Sequence, residues 1–327
     1  MRPYAIHSPC TSVLQKLRIS PVSWRQGPIL LRHYSSTGAA ADPIEHCRSL
    51  VQKHDYEGYL VSPFFPKHLQ GGYFALKAFY VELAMIQDSV SNPTIGMMRM
   101  QFWRDAVKAI SDGKSPPRHP IAHALYEASQ TSHLPAYHLK RIIDARDAEL
   151  QAPGHLTIDS LTAHAESTSS TLLYLLLSML SLPSSTLSHA ASHLGAAQTF
   201  TTLLRALPFH AQKGRIVIPA EITAKHGVVQ EEVFRQGPSA ARLDDAIFEF
   251  ATLANDHLAT ARSMFGQEGL GGRVPVEAMS VFLAGVPVSS ILKRLEDVNF
   301  DVFNRKVQTR DWRLPWWIWK SYYKRMF

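Results

Sequence analysis

Apolar residues recur at helical spacing along most of the chain, from Pro43 to about Phe303. Proline and glycine interrupt this pattern at positions typical of turns between helices. No run of alternating β-branched residues is long enough to predict a strand, and no repeat of fixed period indicates a solenoid. The pattern therefore predicts a single all-α domain, with helices over 43–54, 71–90, 94–112, 118–130, 135–151, 157–182, 184–207, 239–266, 275–284 and 287–298.

Two of these helices carry more specific predictions. In the helix over 184–207, Phe200, Leu203, Leu204 and Leu207 recur at the spacing of a buried helix, and Pro208 together with Lys213-Gly214 is expected to end it. The apolar stretch 215–219 that follows is expected to be a short buried segment. In the helix over 94–112, residues Ile95, Met98, Phe102 and Val107 are expected to line the buried side, with the methionines filling the core.

The first 41 residues have a different composition from the rest. They contain five Lys or Arg residues, no Asp or Glu, and many Ser and Thr residues. This composition is typical of a mitochondrial transit peptide, and we expect cleavage near Ser35; a basic disordered tail is the alternative. The leader carries five of the seven net positive charges of the chain. The net positive charge of the whole chain therefore does not indicate nucleic-acid binding.

The last 23 residues, 305–327, combine seven Lys or Arg residues with four of the six tryptophans and a single acid, Asp311. Tryptophan interleaved with cations is typical of a segment at a lipid surface. The residues expected to contact the membrane are Trp312, Arg313, Trp316, Trp317, Trp319, Lys320, Lys324 and Arg325. The alternative is a C-terminal lid that closes the helical core. Nucleic acid is not an expected partner.

Other candidate chemistry is weak. The two cysteines, Cys10 and Cys47, predict no disulfide and favour a reducing compartment. The histidine pairs 119/123 and 189/193 have a spacing that can bind metal, but no third ligand is evident, so we interpret them as ordinary surface residues. The apolar run 172–180 is too short to span a membrane and predicts a buried helix.

The stretch LGAAQTFTTLLR at 194–205, followed by KGRIVIP at 213–219, resembles the second signature of the squalene/phytoene synthase family. That resemblance implies an isoprenoid-synthase-like helical bundle with a central cavity. Active members carry two Asp residues one helical turn apart, which hold Mg²⁺ and a diphosphate. This chain has Ala206 and His210 at those positions, and neither supplies a hard oxygen ligand.

Residues 62–88 resemble the first signature of the same family. Pro63 stands where the family has a phosphate-binding Arg, and Ala84 and Met85 stand where it has two Asp residues, so only Asp88 remains. A cavity-lining Tyr of the family is replaced near His164 or Glu166. The remnant cavity and diphosphate-site positions are therefore Pro63, Glu82, Ala84, Met85, Asp88, Glu166, Gln198, Arg205, Ala206 and His210.

The segments AFYVELA at 78–84 and IGMMRMQFW at 95–103 resemble one subgroup of the family, the assembly factors 6 of mitochondrial complex I (NADH:ubiquinone oxidoreductase). The resemblance implies a factor needed to build complex I, with complex I subunits or assembly intermediates as partners. The basic aromatic tail predicts a position on the matrix side of the inner membrane, with the lipid surface as a further partner.

The losses at the acidic positions remove the metal-dependent charge neutralisation that prenyl transfer needs. We therefore expect no catalytic residue, no metal site and no cofactor. The alternative is a prenyl-diphosphate-binding or transferase activity with atypical ligands, for example Asp88 together with Glu166. The expected domains are the transit peptide over 1–41, the helical domain over 42–304 and the basic aromatic tail over 305–327.

Overall fold

The computed structural model describes residues 42–90, 92–267 and 271–327. The predicted transit peptide lies outside these residues. The described helices are α1 Pro43–His54, α2 Tyr56–Val61, α3 Gln70–Ser89, α4 Pro93–Ser111, α5 Pro120–Thr131, α6 Ala136–Gln151, α7 Ile158–Ala165, α8 Thr171–Met179, α9 Ser185–Gln212, α10 Ala220–Lys225, α11 Gln230–Gln236, α12 Leu243–Gln267, α13 Met279–Phe282, α14 Gly285–Glu296, α15 Arg305–Gln308 and α16 Leu314–Lys324.

No described residue is in a strand, so the predicted all-α fold is confirmed. A π-helical turn, Glu166–Ser170, joins α7 to α8, where the sequence pattern predicted one continuous helix. Short 3₁₀ turns at Ser62–Phe64, Lys67–Leu69, Gly237–Ser239 and Val276–Ala278 make further connections. The predicted helix over 275–284 is the turn Val276–Ala278 followed by α13. The sequence pattern did not predict five of the short helices: α2, α10, α11, α15 and α16.

The long helices α9 and α12 pack against each other at the centre of the fold. Phe200 of α9 and Phe250 of α12 stack with ring centroids 5.2 Å apart, and both are fully buried. A second part of the core lies around α1, α3 and α5, where Phe79 packs edge-to-face on Trp103 of α4 at 5.4 Å. These apolar contacts, and not local propensity, supply most of the stability of such helices.

The predicted end of this helix at residue 207 was too early: α9 continues through Pro208 to Gln212 and ends at its C-cap Lys213, the second of the two predicted breaks. Proline has no N–H to bond the carbonyl four residues earlier, so the helix loses one backbone hydrogen bond there. Leu204, Leu207 and Ala211 are buried on either side of the proline. Their packing holds the backbone helical despite the lost bond.

The prediction for the buried face of α4 was wrong for Ile95 and Met98, whereas Val107 is buried as predicted and Phe102 is half-buried against the core. Ile95 and Met98 are 50 and 68 % exposed, whereas Met100, Trp103 and Val107 are buried. The physical reason is Gly96: a Cβ built at this glycine would lie 3.1 Å from Leu150 of α6. Because glycine admits that close approach, α4 turns the Gly96 side toward α6 and leaves Ile95 and Met98 outside.

The last helix, α16, packs on the body through Leu314 and Ile318, which are buried. The C-terminal Phe327 lies against Phe282, with ring centroids 5.6 Å apart, and fills the space left by Gly285. Among the described helices, none is by itself long and apolar enough to cross a membrane; the pair Val276–Phe282 and Gly285–Glu296, bent by 46°, meets that criterion jointly by length and composition.

Candidate functional site

A cleft of about 1100 Å³ lies between α3, α6, α9 and the segment that precedes α16. It is lined by Ala84, Met85 and Asp88 of α3 and, from α9, by Gln198, Arg205, Ala206 and His210. The structure therefore brings seven of the ten predicted remnant positions to one cavity. Short side chains at positions 84 and 206 leave open the space that carboxylates would occupy.

Asp88, the acid that survives from the first signature, is held by two cations. Its Oδ1 atom lies 2.9 Å from Lys213 Nζ and 3.1 Å from an Arg215 guanidinium nitrogen. Partial burial by itself would raise the pKa of Asp88, but the hydrogen bond and charge of Lys213, with Arg215, outweigh it and lower the pKa. The oxygen that a metal would use is thus already neutralised by protein cations.

Arg205 and Gln198 both line the cleft, and the side chain of Arg205 is already engaged in an ion pair. Its guanidinium forms an ion pair with Glu57, and its backbone carbonyl accepts a hydrogen bond of 3.1 Å from Gln308 Nε2. Helix α9 is therefore tied both to α2 and to the segment leading into α16. Across the residues that the structure describes, no group of three His, Cys, Asp or Glu side chains is arranged to hold a metal.

A hydrogen-bond network that no sequence motif predicts lies at the buried side of the cleft. Tyr80 Oη lies 2.8 Å from Ser169 Oγ, and Thr199 Oγ1 donates to the same serine at 2.7 Å. Arg146 donates to Tyr80 Oη at 3.2 Å and to Glu149 at 2.7 Å. These residues belong to α3, α6, α9 and the π-turn, so no local pattern could reveal that they meet.

A buried ion pair lies at the other side of the cleft. Lys77 Nζ is 2.6 Å from Asp55 Oδ2, and Asp55 Oδ1 accepts from the backbone N–H of Gly58 at 2.9 Å as the N-cap of α2. Gly58 is required here, because a Cβ at that position would fall 2.6 Å from Lys77 Cε. The pair links α2 to α3 beneath the cavity.

Three predicted remnant positions do not line the cleft. Pro63 is exposed in a 3₁₀ turn, and Glu82 forms an ion pair with Arg99 at 2.8 Å. Glu166 accepts hydrogen bonds from Tyr174 and Ser192, each at 2.7 Å. Asp88 and Glu166 are thus engaged with separate partners, and only Asp88 lines the cleft.

Two histidines interpreted as ordinary surface residues are partly buried. The ring of His119 packs edge-to-face on Trp103 at 5.0 Å. His193 Nδ1 lies 2.9 Å from His257 Nδ1 of α12, which is hydrogen-bond distance. The interpretation was wrong for these two because tertiary packing of α4 and α12, invisible in the i, i+4 spacing, covers them.

The residues expected to contact a membrane lie on and just before α16. Trp312, Trp316 and Trp319 are 86, 57 and 46 % exposed, and the rings of Trp316 and Trp319 stack at 4.9 Å. Tyr323 extends the same stripe, 4.9 Å from Trp319. Lys320 lies over the ring of Trp317 at 5.1 Å, and Arg325 ends the helix with a positive φ of 55°. Arg313 and Lys324 flank the helix at its two ends.

We expect the stability of the protein to fall as the pH drops from 6.5 toward 4, with His164 as a main contributor. Burial lowers the pKa of His164 from 6.5 to about 4. The unfolded chain then binds more protons in this interval, so the stabilisation is complete above pH 6.5 and lost on acidification. His164 alone contributes about 3 kcal/mol to this dependence.

Urea unfolding at pH 7.5, 6 and 5 measures the effect. His164→Gln should flatten the profile, whereas the exposed His68→Gln should leave it unchanged. A His164→Gln profile as steep as that of the parent protein would contradict the assignment.

Comparisons with known proteins extend these observations. The family model for squalene/phytoene synthases matches residues 51–313. The complex I (NADH dehydrogenase) assembly factor 6 of Rattus norvegicus is 40 % identical over 270 residues, 83 % of this chain and 79 % of that protein. The assembly factor 6 of Homo sapiens is 37 % identical over 294 residues, 90 % of this chain and 86 % of that protein. A presqualene diphosphate synthase of Rhodopseudomonas palustris is 27 % identical over 174 residues, 52 % of this chain and 60 % of that protein.

Solved structures give the same fold. A dehydrosqualene synthase with a bound ligand superposes with a TM-score of 0.72 at 17 % identity, covering 86 % of this chain and 96 % of that chain. The squalene synthase HpnC of Alicyclobacillus acidocaldarius superposes with a TM-score of 0.68 at 17 % identity, covering 79 and 95 %. The helical fold is therefore similar to that of a dehydrosqualene synthase and a squalene synthase, and at this identity the likeness concerns the fold alone.

Proposed function

The chain belongs to the squalene/phytoene synthase family, and from that premise we propose that it is a non-catalytic mitochondrial factor needed to assemble respiratory complex I. Relatives named complex I assembly factor 6 match 83 to 90 % of the chain at 37 to 40 % identity. The observation that carries the non-catalytic part is the state of Asp88. This last acid of the signature positions is neutralised by Lys213 and Arg215, not left free for a metal.

Without these acids the chain lacks the metal-dependent charge neutralisation that prenyl transfer needs. Departure of a diphosphate creates charge that the enzymes of such reactions neutralise with metal ions. In this chain Ala84, Met85, Ala206 and His210 stand at those positions, and Asp88 is the one carboxylate left. Assembly of a multi-subunit complex needs a surface for partners and places no such demand on the cleft.

Deleting the gene and measuring assembled complex I on native gels tests the proposal. We expect complex I to be lost and the intact chain to restore it. Asp88→Asn should restore it equally well, as should Asp112→Asn, a control acid of similar exposure at the end of α4 (side chains 39 and 41 % exposed). Normal complex I in the deletion strain would overturn the assembly role. Failure of Asp88→Asn alone, at normal protein level, would overturn the non-catalytic part.

We place the protein on the matrix side of the inner membrane, delivered by the leader 1–41 and attached through the basic aromatic tail. The support is the stripe of Trp312, Trp316, Trp319 and Tyr323 on the outside of the fold, with basic residues beside it. Indole rings partition to the headgroup boundary, and each Lys or Arg near an anionic surface contributes about 1 kcal/mol. Buried Leu314 and Ile318 fix the helix on the body, so its aromatic face points outward.

Replacing Trp312, Trp316 and Trp319 together with alanine is expected to weaken binding to cardiolipin-containing vesicles by about tenfold or more, equivalent to 1.4 kcal/mol. Thermal unfolding should be unchanged, because all three rings are exposed, and Trp316 and Trp319 stack on each other outside the core. Vesicle flotation measures binding. Tyr137→Ala removes a comparably exposed aromatic ring (65 %) from α6 and should bind like the parent chain. Equal flotation of the triple variant and the control would defeat the membrane placement.

A further inference from the structure

The cleft keeps apolar side chains open to solvent along its lining. Leu156, between α6 and α7, is 77 % exposed, and Met85, Ile216 and Val217 are half-buried. The carbonyl of Leu156 accepts a hydrogen bond of 2.9 Å from the N–H of Glu221, so the loop that carries this leucine is tied to α10. Apolar surface of this kind is stabilised when a bound molecule removes it from water. The cleft therefore offers surface that a partner would cover.

The cleft also carries an excess of positive charge. Seven Lys or Arg residues line it against five acids. Most of these are paired, but Lys53, Arg294 and Arg310 have no acidic partner among the described residues. Arg294 donates to the Thr309 carbonyl at 2.6 Å, and Arg310 lies over the Tyr56 ring at 4.4 Å. Acidic side chains on a partner would complement this charge.

The open volume suits a short stretch of polypeptide. An α-helix with its side chains is about 10 Å across, so a cleft of about 1100 Å³ holds roughly two to three turns of helix. The small side chains of Ala84 and Ala206 add to this width. A helix with apolar residues on one face and acids beside them would match both the apolar and the cationic parts of the lining.

The cleft adjoins the segment that we place at the membrane. Arg310, Asp311 and Leu314 line the cleft, and Trp312, in the same stretch of chain, is 86 % exposed. A polypeptide that leaves the bilayer beside this tryptophan would meet the cleft close to the lipid surface. The position therefore favours a partner that is itself anchored in the membrane.

We propose that the cleft is a docking groove for a partner polypeptide, a short amphipathic helical segment of a membrane-anchored protein. Apolar side chains of the segment cover Leu156 and the half-buried residues beside it, and its acids pair with Lys53, Arg294 and Arg310. This inference rests on the assembly role proposed above, for which it names the binding surface and the chemistry of the partner.

Photo-crosslinking tests the occupant. The full chain, with p-benzoylphenylalanine in place of Leu156, is expressed in the deletion strain and irradiated. We expect a covalent adduct with one polypeptide, identified by mass spectrometry as a complex I subunit or a component of an assembly intermediate. The same probe in place of Tyr137, 65 % exposed on α6 and not part of the cleft lining, should give no such adduct.

Charge reversal tests the complementarity. Lys53→Glu together with Arg310→Glu should reduce the adduct at position 156 at least fivefold, because the acids of the segment would then face acids. Lys67→Glu together with Lys140→Glu changes the net charge by the same amount at exposed lysines that do not line the cleft. This control pair should leave the adduct unchanged.

Filling the groove tests its use in assembly. Ala84→Trp together with Ala206→Trp places two indole rings in the open space, and assembled complex I on native gels should fall at least fivefold. The protein level and melting temperature of this variant are measured alongside. Ala148→Trp changes an exposed alanine of α6 that does not line the cleft and should restore complex I like the parent chain.

Four results would overturn the groove: no adduct at position 156, equal adducts at positions 156 and 137, an adduct with lipid and not with protein, or full assembly by the filled variant. If the filled variant does not fold, the crosslinking on the otherwise native chain decides. Normal complex I in the deletion strain would remove the assembly role itself. Loss of complex I that the filled variant restores would remove the groove alone, so the two failures are distinguishable.

Discussion

Replacing Lys77 with methionine is expected to lower the free energy of unfolding by about 3–5 kcal/mol. The ammonium group is buried and lies 2.6 Å from Asp55 Oδ2. Burial by itself would lower the pKa of Lys77, but the charge of Asp55 reverses this and raises it, so both partners are ionised in the folded protein. Methionine fits the space of the aliphatic chain but leaves a carboxylate without its counter-charge.

The pH dependence and two further variants identify the cause. Once Lys77 is absent the pKa of Asp55 rises, so the loss should shrink as the pH falls toward 4 and the carboxylate takes a proton. Asp55→Asn with Lys77→Met keeps the N-cap acceptor of α2 and should recover most of the stability. Lys225→Met removes an exposed cation paired with Glu249 and should cost less than about 1 kcal/mol. Equal losses from Lys77→Met and Lys225→Met in urea unfolding would refute the ion-pair argument.

Helices whose apolar residues follow one period are those that the sequence predicts best. The predicted helix 43–54 matches α1, and 71–90 and 135–151 match α3 and α6 to within one residue at each end. Proline and capping residues fix such ends locally: Asn92 accepts from Thr94 N–H, and Pro93 occupies the first turn of α4. The short helices α10 and α11 escaped prediction because six or seven residues are too few to show a helical period.

The direction in which a helix faces depends on its neighbours. Apolar spacing in α4 fits two overlapping stripes, and the choice between them is made by Gly96 against Leu150, a contact between residues 54 positions apart. The cleft shows the same limit. Its signature positions could be found from motifs, since each motif is one short stretch of the sequence. The Tyr80–Arg146–Glu149 network could not, because it exists only where α3 meets α6.

The second large effect is expected at Gly195, where α9 crosses the π-turn between α7 and α8. A Cβ at this position would lie 2.5 Å from Ser170 Cα, which is backbone and cannot swing aside. Ser170 is fully buried, and its hydroxyl donates to the Ser192 carbonyl of α9 at 2.9 Å. Gly195→Ala must therefore push the two elements apart, and we expect a loss of about 2–4 kcal/mol.

Alanine at Gly266 is expected to change the free energy of unfolding in the opposite direction, so this variant is the control for Gly195→Ala. Gly266 also lies inside a helix, α12, but a Cβ there meets no atom within 4 Å. Alanine should therefore stabilise the protein by about 0.5–1 kcal/mol through helix propensity alone. Because Thr199 and Ser169 join across the same crossing and hold Tyr80, Gly195→Ala should also loosen the polar side of the cleft. The urea midpoints of unfolding of the two variants measure both effects. If Gly195→Ala were as stable as the parent protein, the crossing would have room to relax. The close packing inferred for α9 on the π-turn would then be wrong.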